Sequence, residues 1–534
     1  MNLTFYGAAK NVTGSCFMLT VNEKKIMIDC GMKQGCSDCD NKTMDFVQSE
    51  IDYVLVTHAH IDHSGRLPLI VKYGYTGQII ATGATCSLLE IMLRDSAKIQ
   101  EMDAKWENQK GKRAGHEFIE PLYTMEDTEK TLLQLEPHKY NERIKICEGV
   151  SAEFIDGGHL LGSASITLYL DENGVQKIIA FSGDIGNLDQ PIIRDPIYLK
   201  KADYVVMEST YGNRNHDEIG DYAAELAQIF ESTFIKGGNI VIPSFSVGRT
   251  QELLYFIREM KERKLVKSIP DFPVYVDSPL SIAATNIYSG DLTGYADKLT
   301  DAIIAKGQNP LRFNNLHMTE TSDESKLINS DLEPKVIISS SGMCEAGRIR
   351  HHLKHNLWRG ECSIVFVGYQ ANGTLGRIIL NGVKKVKLFG EEIAVKAEIY
   401  NFSGLSAHAD RNGLYKWISA FEENPENVFL VHGEEEATIS FKELLDSNSF
   451  ETYIPNPKTI IDLVNNKVLD SGELPRKKPD GEQRRYISSA YATLEAAMKH
   501  LISVVEKHKQ AANKEISKFA SQIEKLANRW DFKN

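Results

Sequence analysis

The sequence predicts an α/β protein: a strand-rich layered body, interrupted by a parallel α/β segment and followed by a helical extension. Three observations carry this reading. Short apolar runs separated by turn residues fill the first 210 residues, a strand–loop–helix rhythm occupies residues 218–390, and a stretch free of Gly and Pro begins at Tyr486.

Taken in order, residues 25–28, 53–56, 166–170, 177–181 and 204–207 are apolar runs of strand length bounded by Asp or Ser, the pattern of half-buried or buried strands. Amphipathic helical stretches lie mostly between residues 86 and 140. A helical segment at 222–235 then leads to a buried strand at 239–242, a Ser/Gly loop and a helix at 250–263. The strands at 273–276 and 335–338 repeat that rhythm, which is the mark of a parallel sheet with crossover helices. Beyond residue 390 the strand-rich style returns and ends in 428–431. In the tail, Pro475-Arg476-Lys477-Lys478-Pro479 breaks regular structure. Past it, Tyr491, Leu494, Met498, Leu501 and Val505, then Ile516, Phe519, Ile523, Leu526 and Trp530, recur at helical spacing, and such a seam must pack on something. The spacing slips between Ala512 and Ile516, so the expectation is a helical hairpin or a helix pair across a homodimer, with the dimer favoured.

At 534 residues the chain is long enough for two to four units at the usual domain size. With 42% hydrophobic and 25% charged residues it has material for a core, and disorder is not expected. No apolar run approaches the roughly 18–20 residues of a membrane span, and the opening Met1-Asn2-Leu3-Thr4-Phe5 is unlike a secretory signal, so a cytoplasmic address without a membrane partner is expected. Eight cysteines in such a chain read as reduced thiols. Cys30, Cys36 and Cys39 form a cluster, but no fourth zinc ligand stands near them in sequence. A net charge of −12 argues against a broadly basic coat for nucleic acid, without excluding it where metal ions and a local patch supply the field. Residues 474–534 do carry such an excess, with 13 Lys and Arg against 7 Asp and Glu.

The central chemical signal is Thr57-His58-Ala59-His60-Ile61-Asp62-His63-Ser64-Gly65, placed directly after the apolar run 53–56. A strand ending in this loop aims its side chains into the crevice beyond the carboxyl edge of a sheet. Imidazole and carboxylate are ordinary zinc ligands, and alternation lets His58 and His60 face one ion while Asp62 and His63 face another. His159, Asp184, Glu208 and His432 each follow or cap a further strand, as a site assembled from several strand ends requires.

With these residues in place, the chain resembles the β-CASP branch of the metallo-β-lactamase superfamily, which includes RNA-processing endonucleases and ribonuclease J. The opening Phe5-Tyr6-Gly7-Ala8-Ala9 and Val12-Thr13-Gly14-Ser15 resemble its first hairpin, Asp29 its first motif, His58 to His63 its second, His159 its third and Asp184 its fourth. Glu208, His408 in Ser406-Ala407-His408-Ala409-Asp410, and His432 match the branch's own three motifs. The resemblance covers about residues 1–470 and implies an αββα sandwich in two segments, 1–210 and 391–470, with a β-CASP domain inserted at 211–390 as a lid that holds RNA backbone, and a basic helical extension at 471–534.

The resemblance further implies two zinc ions, one held by His58, His60 and His159 and the other by Asp62, His63 and His432, with Asp184 bridging and Asp29 supporting from behind. A shared hydroxide would be the nucleophile on an RNA phosphodiester. His408, oriented by Glu208, would protonate the leaving oxygen. For the lid, Ser244, Ser246 and Gly248 before one helix, Ser341 and Gly342 before another, and Arg249, Arg348 and Arg377 are the expected phosphate contacts.

The superfamily also hosts thioester and lactone hydrolases and di-iron proteins, so the fold alone does not give the substrate. The di-iron pattern places Glu where this chain has His60. Small-molecule hydrolases lack the insertion and the His408 motif. The DNA-processing members resemble this chain but typically carry Val where His432 stands, which favours single-stranded RNA. A non-catalytic scaffold is the remaining alternative, and every motif position is filled. Endonucleolytic and 5′-exonucleolytic cleavage both stay open.

Overall fold

The computed structural model describes residues 1–35, 40–114, 117–217, 220–371, 373–402, 405–473, 498, 501–502, 504–505, 507 and 513–530. Cys36, Cys39, Tyr491 and Leu494 lie outside the described residues. Two units emerge, Met1–Pro475 and Arg476–Asn534.

The first unit holds two large sheets. One has eight strands in the order Lys467–Asp470, Ile460–Asp462, Asn2–Gly7, Cys16–Val21, Lys24–Ile28, Tyr53–Leu55, Gln78–Thr82, Leu135–His138. The other has seven, in the order Thr452–Tyr453, Asn427–Val431, Tyr204–Glu208, Val175–Phe181, Ala164–Glu172, Val150–Asp156, Arg143–Cys147. Their inner faces meet in one core, where Leu3, Phe5, Phe17 and Ile28 pack with Phe154, Ile166, Phe181 and Phe429. Phe5 is fully buried there, edge-on to Phe17 at 5.8 Å and to Phe429 at 5.5 Å; truncating such a ring to Ala costs about 3–5 kcal/mol. The strand Asn2–Gly7 alternates half-buried and buried residues because only one of its faces is apolar. Tyr204–Glu208 is buried at every position, since it pairs in parallel on both sides, with Val175–Phe181 and Asn427–Val431.

Helices cover both outer faces. Leu414 and Trp417 of Arg411–Ile418 and Phe441 and Leu445 of Glu435–Ser447 pack on Val205, Met207, Val428 and Leu430. On the other side, Met27, Val54 and Ile79 pack with Leu67, Ile70, Leu89 and Leu93. The αββα sandwich expected from the sequence is therefore present.

A third sheet has six strands, all parallel, in the order Leu316–Met318, Val274–Val276, Val336–Ser339, Ile240–Pro243, Ser363–Phe366, Glu398–Asn401. Its helices begin where the sequence places caps: the Asp221 side chain accepts from the Ala224 amide at 3.0 Å to start Tyr222–Ile235. The last strand of this sheet, Glu398–Asn401, lies past residue 390. The hairpin Lys385–Leu388 and Glu391–Ala394 straddles residue 390. Among the described residues no helix is long and apolar enough to cross a membrane.

Candidate metal centre

Five strands deliver the site from their carboxyl ends. Tyr53–Leu55 leads through Val56 and Thr57 to His58 and His60, and a single helical turn, Ile61–Ser64, carries Asp62 and His63. That turn is pinned by Ser15 N–H on Asp62 O at 2.9 Å and Cys30 N–H on His63 O at 2.8 Å. The approach is so close that a Cβ on Gly31 would stand 1.6 Å from Asp62 O, so only glycine fits there. His159 sits in the turn after Val150–Asp156, its amide on Ser163 Oγ at 3.0 Å. Asp184 follows Val175–Phe181, Glu208 ends Tyr204–Glu208, and His432 follows Asn427–Val431. His432 has φ +49° and Asp29 φ +58°, left-handed values that side-chain-bearing residues adopt at a cost and that gather at functional sites.

The side chains converge into two sets joined by one carboxylate. His60 Nδ1 lies 3.1 Å from His58 Nε2 and 3.2 Å from His159 Nε2. His63 Nε2 lies 3.2 Å from His432 Nε2, and His432 Nε2 is 3.5 Å from Asp62 Oδ2. Asp184 turns Oδ2 toward the first set, 3.5 Å from His58 and 3.6 Å from His159, and Oδ1 toward the second, 3.2 Å from His63 and 3.7 Å from His432. The potential ligand atoms of His58, His60, His159 and Asp184 all lie within 4.8 Å of one another, as do those of Asp62, His63 and His432.

Supporting contacts fix the rings. His63 Nδ1–H donates to Asp29 Oδ2 at 2.7 Å, and the His159 Nδ1–H donates to Ala407 O at 3.2 Å. His432 Nδ1 meets Thr210 Oγ1 at 3.1 Å. Each leaves Nε2 facing the centre, the arrangement that metal-ligating histidines show. Burial pushes His58 and His159 well below the ordinary imidazole range, which keeps their lone pairs free. Burial opposes ionisation of Asp62, yet a hydrogen bond from His432 and the nearby His63 bring it down to about 2. Asp184 Oδ1 is buried without a hydrogen-bond partner, a costly state for an acceptor. Paired imidazole nitrogens and an orphaned carboxylate oxygen aimed at one point fit a metal cation.

His408 flanks this centre. Its Nδ1 is 3.3 Å from both Glu208 oxygens, and its Nε2 is 3.9 Å from Asp184 Oδ2. Burial would lower its pKa, but the Glu208 carboxylate, with Asp184 behind it, pushes it up to about 10. Glu208 is itself held by the Ile185 amide at 2.6 Å.

The expected phosphate contacts line the carboxyl edge of the parallel sheet in unequal states. Ser244 is buried and donates to Phe245 O at 3.2 Å, while Ser246 and Gly248 are half-buried. Ser341 Oγ accepts from the Glu345 amide at 3.2 Å, and Gly342 is buried against Phe245. Arg249 is buried and paired with Glu252. Arg348 is spent on Asp277 Oδ1 at 2.7 Å, Thr319 O at 3.0 Å and Glu320 O at 2.7 Å. Arg377, by contrast, borders a cavity of about 330 Å³ together with Tyr211, Arg214, His216 and Tyr369. Sequence reasoning missed these four; for Tyr211, Arg214 and His216 the signal was the run Tyr211-Gly212-Asn213-Arg214-Asn215-His216, which follows Glu208 almost directly.

Three family models match the chain: the metallo-β-lactamase superfamily over residues 10–129, the β-CASP domain over 250–379, and the Zn-dependent metallo-hydrolase RNA specificity domain over 392–455. Ribonuclease TTHA0252 of Thermus thermophilus is 36% identical over 446 residues, 83% of this chain and 96% of the relative. The transcription termination factor FttA of Methanosarcina mazei is 31% identical, covering 82% of this chain and 68% of its own. FttA of Methanocaldococcus jannaschii is 30% identical over 85% of this chain and 70% of its own. A crystal structure of a protein of unknown function from Enterococcus faecalis V583 aligns with 86% of this chain and 99% of its own at 13% identity and a TM-score of 0.48. The chain belongs to the β-CASP branch of the metallo-β-lactamase superfamily, a branch that includes zinc-dependent RNA-processing nucleases.

Proposed function

We propose that this protein hydrolyses phosphodiester bonds of single-stranded RNA in the cytoplasm, with two zinc ions bound side by side. The observation that carries the reading is Asp184, whose two oxygens face two different histidine sets. His58, His60 and His159 would hold one ion, Asp62, His63 and His432 the other, and Asp184 both. Zinc pairs of this kind lower the pKa of water to give the nucleophile and offset charge on the phosphoryl oxygens.

The remaining chemistry belongs to the chain. Glu208 accepts from His408 Nδ1–H and so fixes which nitrogen faces the centre. The Glu208 carboxylate favours the imidazolium form of His408, which can donate from Nε2 to the leaving O3′. Cleavage then leaves a 3′-hydroxyl on one fragment and a 5′-phosphate on the other. The segment 211–401 covers the crevice as a lid whose loop amides and hydroxyls hold the RNA backbone. A ribonuclease among the relatives and the RNA specificity match at 392–455 support RNA as the substrate. The filled ligand positions support a catalyst rather than a scaffold.

The test is incubation of zinc-loaded protein with single-stranded RNA labelled at one end and then the other, carrying a 5′ triphosphate, monophosphate or hydroxyl. Zinc-dependent cleavage to 5′-phosphate products is expected, and the product ladders separate internal from 5′-exonucleolytic attack. Protein that binds two zinc ions but cuts only DNA, or nothing, overturns the reading.

A further inference from the structure

The cavity beside His408 has no part in holding metal, and its lining is unlike the rest of the crevice. It encloses about 330 Å³, at the small end of the roughly 300–1,000 Å³ of ligand pockets. Two of its walls touch the acid directly: the Tyr211 ring lies 6.1 Å from the His408 ring, and His216 Nε2–H donates to His408 O at 2.9 Å. The opposite wall comes from the parallel sheet, where Tyr369 follows the strand Ser363–Phe366 and keeps 39% of its surface exposed. Arg214 bridges the two walls, its guanidinium 4.8 Å from the Tyr211 ring and 5.9 Å from the Tyr369 ring. Arg377 lies 5.8 Å from the Tyr369 ring, held by its Nε on Gln370 O at 2.8 Å. Asp217 is the carboxylate of the lining.

A part-exposed aromatic ring with two guanidinium groups over it at 5.8 and 5.9 Å is the combination that takes a nucleobase by stacking and a phosphate by charge. A buried apolar ligand would find too many cations here, and a bare anion would have no use for the ring. We infer that this cavity is a nucleotide subsite for the residue on the leaving-group side of the scissile phosphate, its base stacked on Tyr369 and its own phosphate met by Arg214 and Arg377. The side follows from His408: the nucleotide whose O3′ receives the proton must lie next to the acid, and Tyr211 and His216 of the cavity wall contact His408. This rests on the ribonuclease reading above, and it adds what that reading lacks, a place that grips one specific nucleotide of the substrate.

The experiment uses the zinc-loaded full chain and two short single-stranded RNAs. One ends in a 3′-hydroxyl with 2-aminopurine as its last base, and the other begins with a 5′-phosphate on 2-aminopurine. Binding of the first should quench its fluorescence. Tyr369→Ala should abolish that quenching and weaken binding roughly 5- to 150-fold, the range of one stacked base, with Tyr369→Phe restoring both. Arg214→Ala and Arg377→Ala should each weaken binding and flatten its salt dependence. The second RNA should be indifferent to Tyr369→Ala. Equal affinity and quenching in wild type and Tyr369→Ala overturn the subsite, and an effect confined to the 5′-phosphate RNA overturns its side. If wild type cleaves RNA while Tyr369→Ala shows the same KM, the subsite fails and the ribonuclease reading stands. If wild type neither binds nor cleaves RNA, that reading fails and takes the subsite with it.

Discussion

Asp29 and His63 form a buried hydrogen bond behind the candidate metal centre: Asp29 Oδ2 accepts from His63 Nδ1–H at 2.7 Å. The same carboxylate accepts from the Thr57 amide and the Thr57 hydroxyl, each at 2.8 Å. It therefore locks the start of the histidine loop and the orientation of one of its rings together. Partners of this kind typically contribute 10- to 100-fold to metal affinity. Asp29→Ala should weaken zinc binding by about that factor, read by competition with a chromogenic chelator, whereas Asp29→Asn keeps an acceptor and should lose less. Unchanged zinc affinity in Asp29→Ala would show that the loop is rigid without it.

His60 stands between His58 and His159, 3.1 and 3.2 Å from their ring nitrogens. His60→Ala should lower bound zinc below two per chain and abolish turnover, while RNA binding persists through the lid. Elemental analysis and a gel-shift assay on the same preparation check both halves. Wild-type zinc content and activity in the purified variant would mean that the ligand set is wrong.

For the acid, the expectation separates chemistry from binding. His408→Ala should retain both zinc ions and slow cleavage by roughly 10²- to 10⁴-fold, the usual contribution of a general acid. A substrate with a better leaving group needs less proton transfer and should recover much of the rate. Equal slowing on both substrates would assign His408 to holding RNA.

The metal centre was legible because its residues are local to strand ends. His58 to His63 are contiguous, and His159, Asp184, Glu208 and His432 each stand just past an apolar run whose direction alone aims them at the crevice. The lid arginines were less legible, for a reason that is tertiary. Arg348 and Asp277 are far apart in sequence, and only the packing of the parallel sheet makes them partners. Arg249 could have been discounted earlier, since Glu252 lies one helical turn away. The strands Gln78–Thr82 and Leu135–His138 were overlooked for different reasons. The first runs straight into the long helix Gly83–Ala114, and the second carries Pro137, tolerated because it lies at the sheet edge. Tyr369 and Arg214 are far apart in sequence and meet only in the folded chain, a neighbour relation that no local pattern encodes.

Asp156 offers a pH-dependent prediction away from the ligands themselves. It ends the strand before the His159 turn, and burial pushes it up to about 6 against the Gly158 amide at 3.1 Å and the Arg194 guanidinium at 3.3 Å. A carboxyl raised in the folded state stabilises the fold below its unfolded value, and that contribution is lost as pH rises through about 6. Asp156→Asn keeps an acceptor for Gly158 and removes the ionisation. Relative to wild type, the variant should therefore gain stability between about pH 4 and about pH 6, by roughly 2–3 kcal/mol, and hold that gain above. Taking the difference between the two proteins cancels the titration of the metal ligands. Thermal melts at both ends of the range check it, and a difference that is flat or shrinks with pH would overturn the assignment.

The second unit, Arg476–Asn534, carries an amphipathic helix. Its described helix, Asn513–Trp530, places Ile516, Phe519, Ile523 and Leu526 at alternating spacings of three and four, with Lys514, Lys518 and Lys525 among them. Ile516 and Leu526 are exposed, as are Met498 and Val505. Exposed apolar side chains such as Ile516 and Leu526 cost free energy in water until something covers them. A second copy of the chain supplies an identical stripe, so the helix is expected to pair across a homodimer. The excess of positive charge in residues 474–534 offers a different role, drawing RNA toward the crevice by long-range attraction. Removing residues 476–534 separates the two. Loss of dimer mass by light scattering with an unchanged salt slope of RNA binding supports assembly, and unchanged mass with a shallower slope supports steering. A truncated protein equal to the full chain in mass, melting temperature and RNA affinity would leave neither role standing.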